Sequence, residues 1–451
     1  MKLFNLRKRG SSMALAIALA TGSAVVATAV YPAEAHAQRK KDKKNKEEEE
    51  GGGYSKEFIA AYQPVNEALQ AEGADTAAYV PQLKELGALA NTSDEKIAAG
   101  GLIFNSGIKV SDRPLQLQGM ELMLASGKVP IDQVGRYNFI AYQLANAEQD
   151  FGKARTYLQQ AINSNFSTPE ITAADLQIAM AESYFSANQN KEGLDFLMRA
   201  IESRKAQGLA VDEQWYRRGL TVAYNNKITP EVYDFASTWI ADFPSPTNWR
   251  DTVNLTRNLN DFGQQQTLDL LRLSRRANAL TDKQDYILYV ESADARRLPK
   301  EVKDVIEEAY ADDAVSRDDI YVADALTTAN GRIASDRADL PALERDADKA
   351  SAELRTVVAA AGAFLSYGEY AKAAKFYEKA LGMPGVDTAE ALNRLGMAQI
   401  GMGNYDAARE TLAKVEGARA PIAALWIAYA NEQSAPAETG ASLGELMDAS
   451  T

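Results

Sequence analysis

The sequence contains no cysteine and only one histidine, His36. Without thiols the chain forms no disulfide, has no cysteine nucleophile, and cannot carry the lipid-modified cysteine of bacterial lipoproteins. His36 lies in a segment that we expect to be removed, so the mature chain would also lack imidazole. Imidazole is the commonest general base and a usual ligand of zinc, copper and haem. The sequence therefore predicts no metal site, no cofactor and no catalytic residue.

Long apolar runs are also scarce, and the one that stands out lies near the N-terminus, from Met13 to Val30. Small residues follow it at Ala35 and Ala37, which is the spacing that a signal peptidase accepts. Four basic residues precede it: Lys2, Arg7, Lys8 and Arg9. We expect residues 1–37 to be a signal peptide cleaved after Ala37, and the protein to be exported, most simply to a Gram-negative periplasm. A retained membrane anchor is the alternative, which the Ala-, Gly- and Thr-rich composition of the run disfavours.

Positive charge is in the minority, and the formal net charge is −13. Removal of the basic segment 1–37 would make the chain more acidic still. A nucleic-acid partner is not expected, because binding phosphates needs a basic surface. Residues 38–53 combine a basic block, a run of four glutamates and three glycines, which predicts a disordered charged linker. Contact with a membrane is expected at most through the basic part of this linker, residues 39–46.

Strand-like alternation of Val, Ile and Thr is nearly absent after Tyr54. Ala, Leu, Glu, Gln, Lys and Arg dominate instead, apolar residues recur at spacings of three and four, and breaks fall every 12–18 residues. This texture predicts consecutive helices. One helix start is marked clearly, because Thr92 and Glu95 have the spacing of a capping box.

Two segments repeat one another at a distance of 35 residues, the separation of Tyr370 and Tyr405. Both combine a glycine turn, an aromatic residue, a small residue and large apolar residues, and the second is preceded by Leu-Gly. The shared pattern comprises Gly368, Tyr370, Ala373, Tyr377 and Ala380 in the first copy, and Leu395, Gly396, Gly403, Tyr405, Ala408 and Leu412 in the second. This pattern resembles the tetratricopeptide repeat. Weaker copies begin at Phe151 and Asn190.

The resemblance implies an all-α fold, an α-solenoid of stacked antiparallel helix hairpins. The corresponding organisation is a signal peptide at 1–37, a charged linker at 38–53, N-terminal hairpins at 54–130, repeats at 131–333, a polar helix or hinge at 334–353, C-terminal repeats at 354–431, and a flexible tail at 432–451.

The resemblance also implies a binding groove lined by the first helix of each repeat. In the two clear copies, four groove positions are selected as binding residues: Arg355, Asn393, Arg394 and Met397. Val358 and Gly362 stand where some members of the family place a carboxylate clamp, which argues against that mode of binding.

Two further features have alternative interpretations. Arg272, Arg275 and Arg276 form a basic stripe, which either holds an acidic ligand or, as the sequence favours, is a solvated helix face. The four tryptophans are expected in the core between helices.

The function that these features favour is a non-catalytic scaffold that binds a protein, a peptide or a polymer of the cell envelope. The alternatives are a cell-wall-processing enzyme that uses only carboxylates and a helical solute-binding protein. The sequence does not determine the oligomeric state.

Overall fold

A computed structural model describes residues 53–434, and the predicted all-α fold is confirmed. The described part contains twenty α-helices, two short 3-10 helices at Thr76–Tyr79 and Gly417–Arg419, and one isolated bridge between Thr168 and Ile171. The predicted signal peptide with His36, the linker up to residue 52 and the tail after residue 434 lie outside the described residues. Within residues 53–434, every helix is too short or too polar to cross a membrane.

The chain divides into two compact units, Met1–Val211 and Asp212–Thr451, called here the N-terminal and the C-terminal unit. This division falls inside the segment 131–333 that the sequence suggested as one repeat region. The N-terminal unit contains eight helices within its described part: α1 Lys56–Gln70, α2 Val80–Leu89, α3 Ser93–Lys109, α4 Arg113–Ala125, α5 Ile131–Ala147, α6 Phe151–Asn163, α7 Ala173–Ser186 and α8 Asn190–Ala206.

Consecutive helices of the N-terminal unit pack in pairs, and each pair also contacts the next one. The pair α3–α4 is held closely by glycine, since a Cβ atom on Gly100 would lie 2.7 Å from the backbone oxygen of Gly119. The pair α5–α6 encloses the buried small residues Ala154 and Ala161, and in the pair α7–α8 a Cβ atom on Gly193 would lie 2.5 Å from Phe185 Cε1. Stacked hairpins of this kind are what the repeat pattern predicts.

The predicted capping box at the start of α3 is confirmed. Glu95 is 1% exposed and accepts hydrogen bonds from the backbone nitrogens of Thr92 at 2.9 Å and Asn91 at 2.8 Å. Its other oxygen accepts from the backbone nitrogen of Ser55 at 2.7 Å, which ties the beginning of α1 to α3. Burial opposes ionisation of Glu95, but the backbone hydrogen bonds from Thr92 and Ser55 outweigh it and lower its pKa to about 2.

The described part of the C-terminal unit contains twelve helices, one of which is unusually long. They are α9 Glu213–Asn226, α10 Glu231–Asp242, α11 Pro246–Leu259, α12 Gln264–Arg276, α13 Lys283–Ala293, α14 Pro299–Ala311, α15 Ile320–Asp348, α16 Leu354–Ser366, α17 Tyr370–Leu381, α18 Thr388–Gly401, α19 Tyr405–Leu412 and α20 Ala420–Ser434. Most of the segment 334–353, a polar helix or hinge by sequence, belongs to the 29-residue helix α15, which also contains Pro341.

The two clear repeats are the hairpins α16–α17 and α18–α19, and their signature residues lie in the turns and between the paired helices. A Cβ atom on Gly396 would lie 2.4 Å from Leu412 Cγ, so only glycine lets α18 approach α19 this closely. Gly368 and Gly403 occupy the turns with φ of +74° and +79°, a region that favours glycine. The other small and large signature residues are buried between the helices: Ala373, Tyr377, Ala380, Leu395, Ala408 and Leu412.

All four tryptophans are buried, which confirms their predicted place in the core: Trp215, Trp239, Trp249 and Trp426. Trp249 and Trp426 both pack against Tyr429 with ring centroids 6.0 Å apart. Trp249 belongs to α11 and the other two rings to α20. The last described helix of the unit therefore shares a core with one of its early helices.

Candidate functional site

The C-terminal unit closes on itself through α20. This helix contacts α18 and α19 beside it, and also α10 and α12 from the beginning of the unit. Trp249 donates to the Glu432 carboxylate at 2.9 Å, and Trp426 donates to the backbone oxygen of Asp269 at 3.2 Å. In an open solenoid each hairpin contacts only its neighbours, so these long-range contacts distinguish this unit.

A buried ion cluster joins α12 to the second clear repeat. Asp269, which is 0% exposed, accepts from Arg394 at 3.1 Å and from Arg272 at 3.1 Å. Arg419 donates to the second Asp269 oxygen at 2.5 Å and to Glu390 at 3.1 Å. Since a buried charge is costly unless it is paired and hydrogen-bonded, α12 and the repeat hold one another in place.

A second buried pair extends the cluster toward α14. Arg272 binds Glu301 through two hydrogen bonds of 2.7 Å, and Tyr289 donates to the same carboxylate at 2.7 Å. Burial alone would raise the pKa of the Glu301 carboxyl, but Arg272 and Tyr289 outweigh it and keep the pKa below its usual range. The same balance keeps the pKa of Asp269 low, because Arg394, Arg272 and Arg419 offset its burial.

Three of the four residues that the sequence selected for a binding groove are buried, and one of them, Arg394, belongs to the ion cluster. Asn393, Arg394 and Met397 are 0%, 7% and 4% exposed, and Arg394 is committed to Asp269, Glu390 and Gln265. Arg355, on α16, is exposed. Within the described residues, α12 thus contacts the face of α18 that the family resemblance assigns to a ligand. The groove assignment stays a prediction, and of its four residues only Arg355 is accessible.

Two of the equivalent positions in the N-terminal unit are more open, whereas Phe139 of α5 and Ala179 of α7, at the positions of Asn393 and Arg394, are buried. Aligning Ala408 with Ala154 and Gly193 places Gln143 of α5 at the position of Met397. The same alignment places Ile178 of α7 at the position of Asn393. Both side chains are half-buried rather than buried. The first helices of these hairpins therefore keep partly exposed groove positions.

The basic stripe on α12 lines a cavity of about 400 Å³ in the C-terminal unit. This corrects the interpretation of Arg272, Arg275 and Arg276 as a solvated helix face. Arg272 is 9% exposed, and the other two are half-buried. The turn between α16 and α17 forms the opposite side of the cavity, with Tyr367 and Tyr370. The sequence could not place this turn beside α12, because 94 residues separate Arg276 from Tyr370.

The innermost acid of the cavity is held as an ionised acceptor. Glu301 is bound by Arg272 and Tyr289, whereas carboxylate-only glycoside hydrolysis needs one acid whose pKa is raised. No cluster of three or more acidic residues able to hold a metal ion occurs between residues 53 and 434. The arrangement is therefore suited to binding polar groups.

Comparison with known proteins places the clear repeat in a family. Residues 389–420, which include most of α18 and all of α19, match the family model of the tetratricopeptide repeat. Among solved structures, the chain is similar to the TPR domain of P58(IPK), with 11% identity, 84% of this chain and 98% of that chain covered, and a TM-score of 0.19. At that TM-score, the likeness carries no argument about function. No curated protein matches the sequence.

Proposed function

We propose that this protein is a non-catalytic scaffold of the cell envelope, which binds another protein or peptide along its helix hairpins. The observation that carries the proposal is the tetratricopeptide repeat at 389–420 within an array of paired helices. Stacked hairpins form extended concave surfaces, and such surfaces suit the docking of polypeptides.

The proposed docking surface is the inner face of α5 and α7. It includes the half-buried side chains of Gln143 and Ile178. In the C-terminal unit, Arg394 and Met397 occupy the corresponding face and are buried. A partner there would have to displace α12 from a paired ion cluster, which is costly. The N-terminal unit offers its groove without that cost.

Site-specific photocrosslinking in intact cells tests this surface. A crosslinking residue is placed at Gln143 or Ile178, and a control is placed at Ile131, which is 94% exposed at the start of α5. We expect discrete adducts from the two groove positions and none of the same size from position 131. Groove positions that yield no adduct above the control would contradict the proposed surface.

Export is the second part of the proposal, and it rests on the signal-like segment 1–37. Mass spectrometry of the protein purified from a Gram-negative periplasmic fraction is expected to find a mature N-terminus at Gln38. An intact Met1 on a membrane-bound protein would support the retained anchor instead, and an intact Met1 in the cytoplasm would contradict export.

A further inference from the structure

The cavity on the α12 side of the C-terminal unit contains one cation without an acidic partner. Its three carboxylates are each matched: Glu301 by Arg272, Glu308 by Arg275, and Asp304 by Lys300. Arg276 is the remaining charge of the lining, and no carboxylate within residues 53–434 pairs with it. The lining carries three arginines and three carboxylates, and because Lys300 outside the lining pairs with Asp304, Arg276 is the arginine left without a carboxylate partner.

Arg276 is held in position by neighbours that leave most of its donors unused. Its Nη2 donates to the Tyr370 hydroxyl at 2.7 Å, and its guanidinium carbon lies 5.2 Å from the centroid of the same ring. Tyr429 donates to its backbone oxygen at 3.3 Å. A guanidinium has five N–H groups, and the neighbours that interact with this one are the Tyr370 and Tyr429 hydroxyls, so some of its donors stay available. A planar fork held in this way is suited to an oxyanion.

Tyr370 is itself fixed by the fold of the repeat. A Cβ atom on Gly401 would lie 2.5 Å from Tyr370 Cγ, so the ring packs directly on the end of α18. Tyr370, the signature aromatic residue of the first repeat, thereby holds the Arg276 side chain in place. Binding is favoured when the groups that contact a ligand are ordered beforehand.

Two other polar residues of the lining can bind hydroxyl groups. The part-exposed side of the cavity presents Asn278, which is exposed, and the carboxylate of Glu308, whose side chain is 44% exposed. The volume of about 400 Å³ falls in the range of small-molecule sites. A small inorganic ion would fill only a small part of this volume, and water would occupy the rest.

We propose that this cavity binds a small hydroxylated organic anion, such as a sugar acid or a sugar phosphate, with its oxyanion on Arg276 and its hydroxyl groups toward Glu308 and Asn278. The site is separate from the α5–α7 docking surface, so either proposal can fail without the other.

Thermal shift and isothermal titration of the whole mature chain test the site. The probes are glucuronate and glucose 6-phosphate, with neutral glucose as the matched control and inorganic phosphate as the oxyanion without a polyol. We expect at least one of the two sugar anions to raise the Tm and to bind more tightly than glucose or inorganic phosphate. Absence of any shift with both sugar anions would overturn the proposal. Equal binding of inorganic phosphate and glucose 6-phosphate would overturn its polyol part.

Three variants assign the binding to Arg276. Arg276→Gln is expected to weaken sugar-anion affinity by about tenfold or more, since charge-assisted hydrogen bonds are lost. Arg276→Lys keeps the charge without the planar fork, and we expect it to bind more weakly than the wild type and more tightly than Arg276→Gln. Arg345→Gln, on the exposed face of α15 and outside the cavity lining, is the matched control and should bind as the wild type does. Circular dichroism verifies folding, and wild-type affinity in a folded Arg276→Gln protein would refute the assignment.

Discussion

Asp269 and Arg394 stand 125 positions apart in the chain, and their carboxylate and guanidinium meet at 3.1 Å in the interior of the C-terminal unit. The contact joins α12 to the first helix of the clearest repeat. It turns a face that the family resemblance assigns to ligands into an internal contact of the unit.

Replacement of Asp269 is expected to be severe. Asp269→Asn would leave Arg272, Arg394 and Arg419 without their shared buried carboxylate, and breaking such a cluster costs about 3–5 kcal/mol of the free energy of unfolding. Urea denaturation measures the loss. The control is Asp406→Asn, because Asp406 is 92% exposed in its pair with Arg409 and should change stability by less than about 1 kcal/mol. Equal effects of the two substitutions would contradict the cluster's role.

Two glycines of neighbouring repeats should respond to alanine with opposite signs. At Gly396 the added methyl would strike the buried Leu412, so we expect a loss of about 1–3 kcal/mol. At Gly362 of α16 the nearest atom is the Tyr377 hydroxyl at 3.8 Å, an ordinary contact, so alanine should gain about 0.5–1 kcal/mol through helix propensity. Thermal or urea unfolding distinguishes them. A neutral Gly396→Ala would mean that α18 and α19 do not pack this closely.

The N-terminal unit should lose part of its stability in acid through Glu95. Its pKa is about 2 in the folded chain, compared with an ordinary value of 4.5. Because the folded pKa is depressed, the ionised carboxylate contributes stability that is complete above about pH 5 and declines as the pH falls from 4.5 toward 2.

The measurement is the difference in unfolding free energy between the wild type and Glu95→Gln across pH 2–7. We expect this difference to shrink as the pH is lowered through the stated window. Glu85→Gln, on the exposed face of α2, controls for a general charge effect and should show little difference from the wild type. A Glu95 difference that is constant with pH would contradict the depressed pKa.

The contact between α20 and α11 should also contribute measurably to the free energy of unfolding. Glu432→Ala removes the acceptor of the Trp249 indole, and leaving that buried donor unpaired costs about 1–3 kcal/mol. Glu378→Ala, exposed on α17, is expected to change stability by less than about 0.5 kcal/mol. Chemical denaturation, followed by tryptophan fluorescence, compares them. Indistinguishable denaturation midpoints would argue against this contact.

Local features were predictable from the sequence. The capping box at Thr92 and Glu95, the positive-φ turns at Gly368 and Gly403, and the small residue at Gly396 are each specified by residues only a few positions apart. The basic stripe shows the limit of such reasoning. Helical spacing placed its three arginines on one helix, but it gave no information about whether that helix faces solvent or another helix.

The sequence by itself thus determined the helices, their pairing into hairpins and the position of the clear repeat, because periodicity, caps and turn glycines act over short distances along the chain. Only the tertiary structure decided that α12 and α20 meet across the C-terminal unit. It also brought α12 against the two clear repeats, where Arg276 meets Tyr370 and Asp269 meets Arg394. These contacts join residues about a hundred positions apart, and charged side chains of either sign are common on every helix. Closure of the helical array, rather than any local pattern, selects the charges that pair and leaves the cavity beside them.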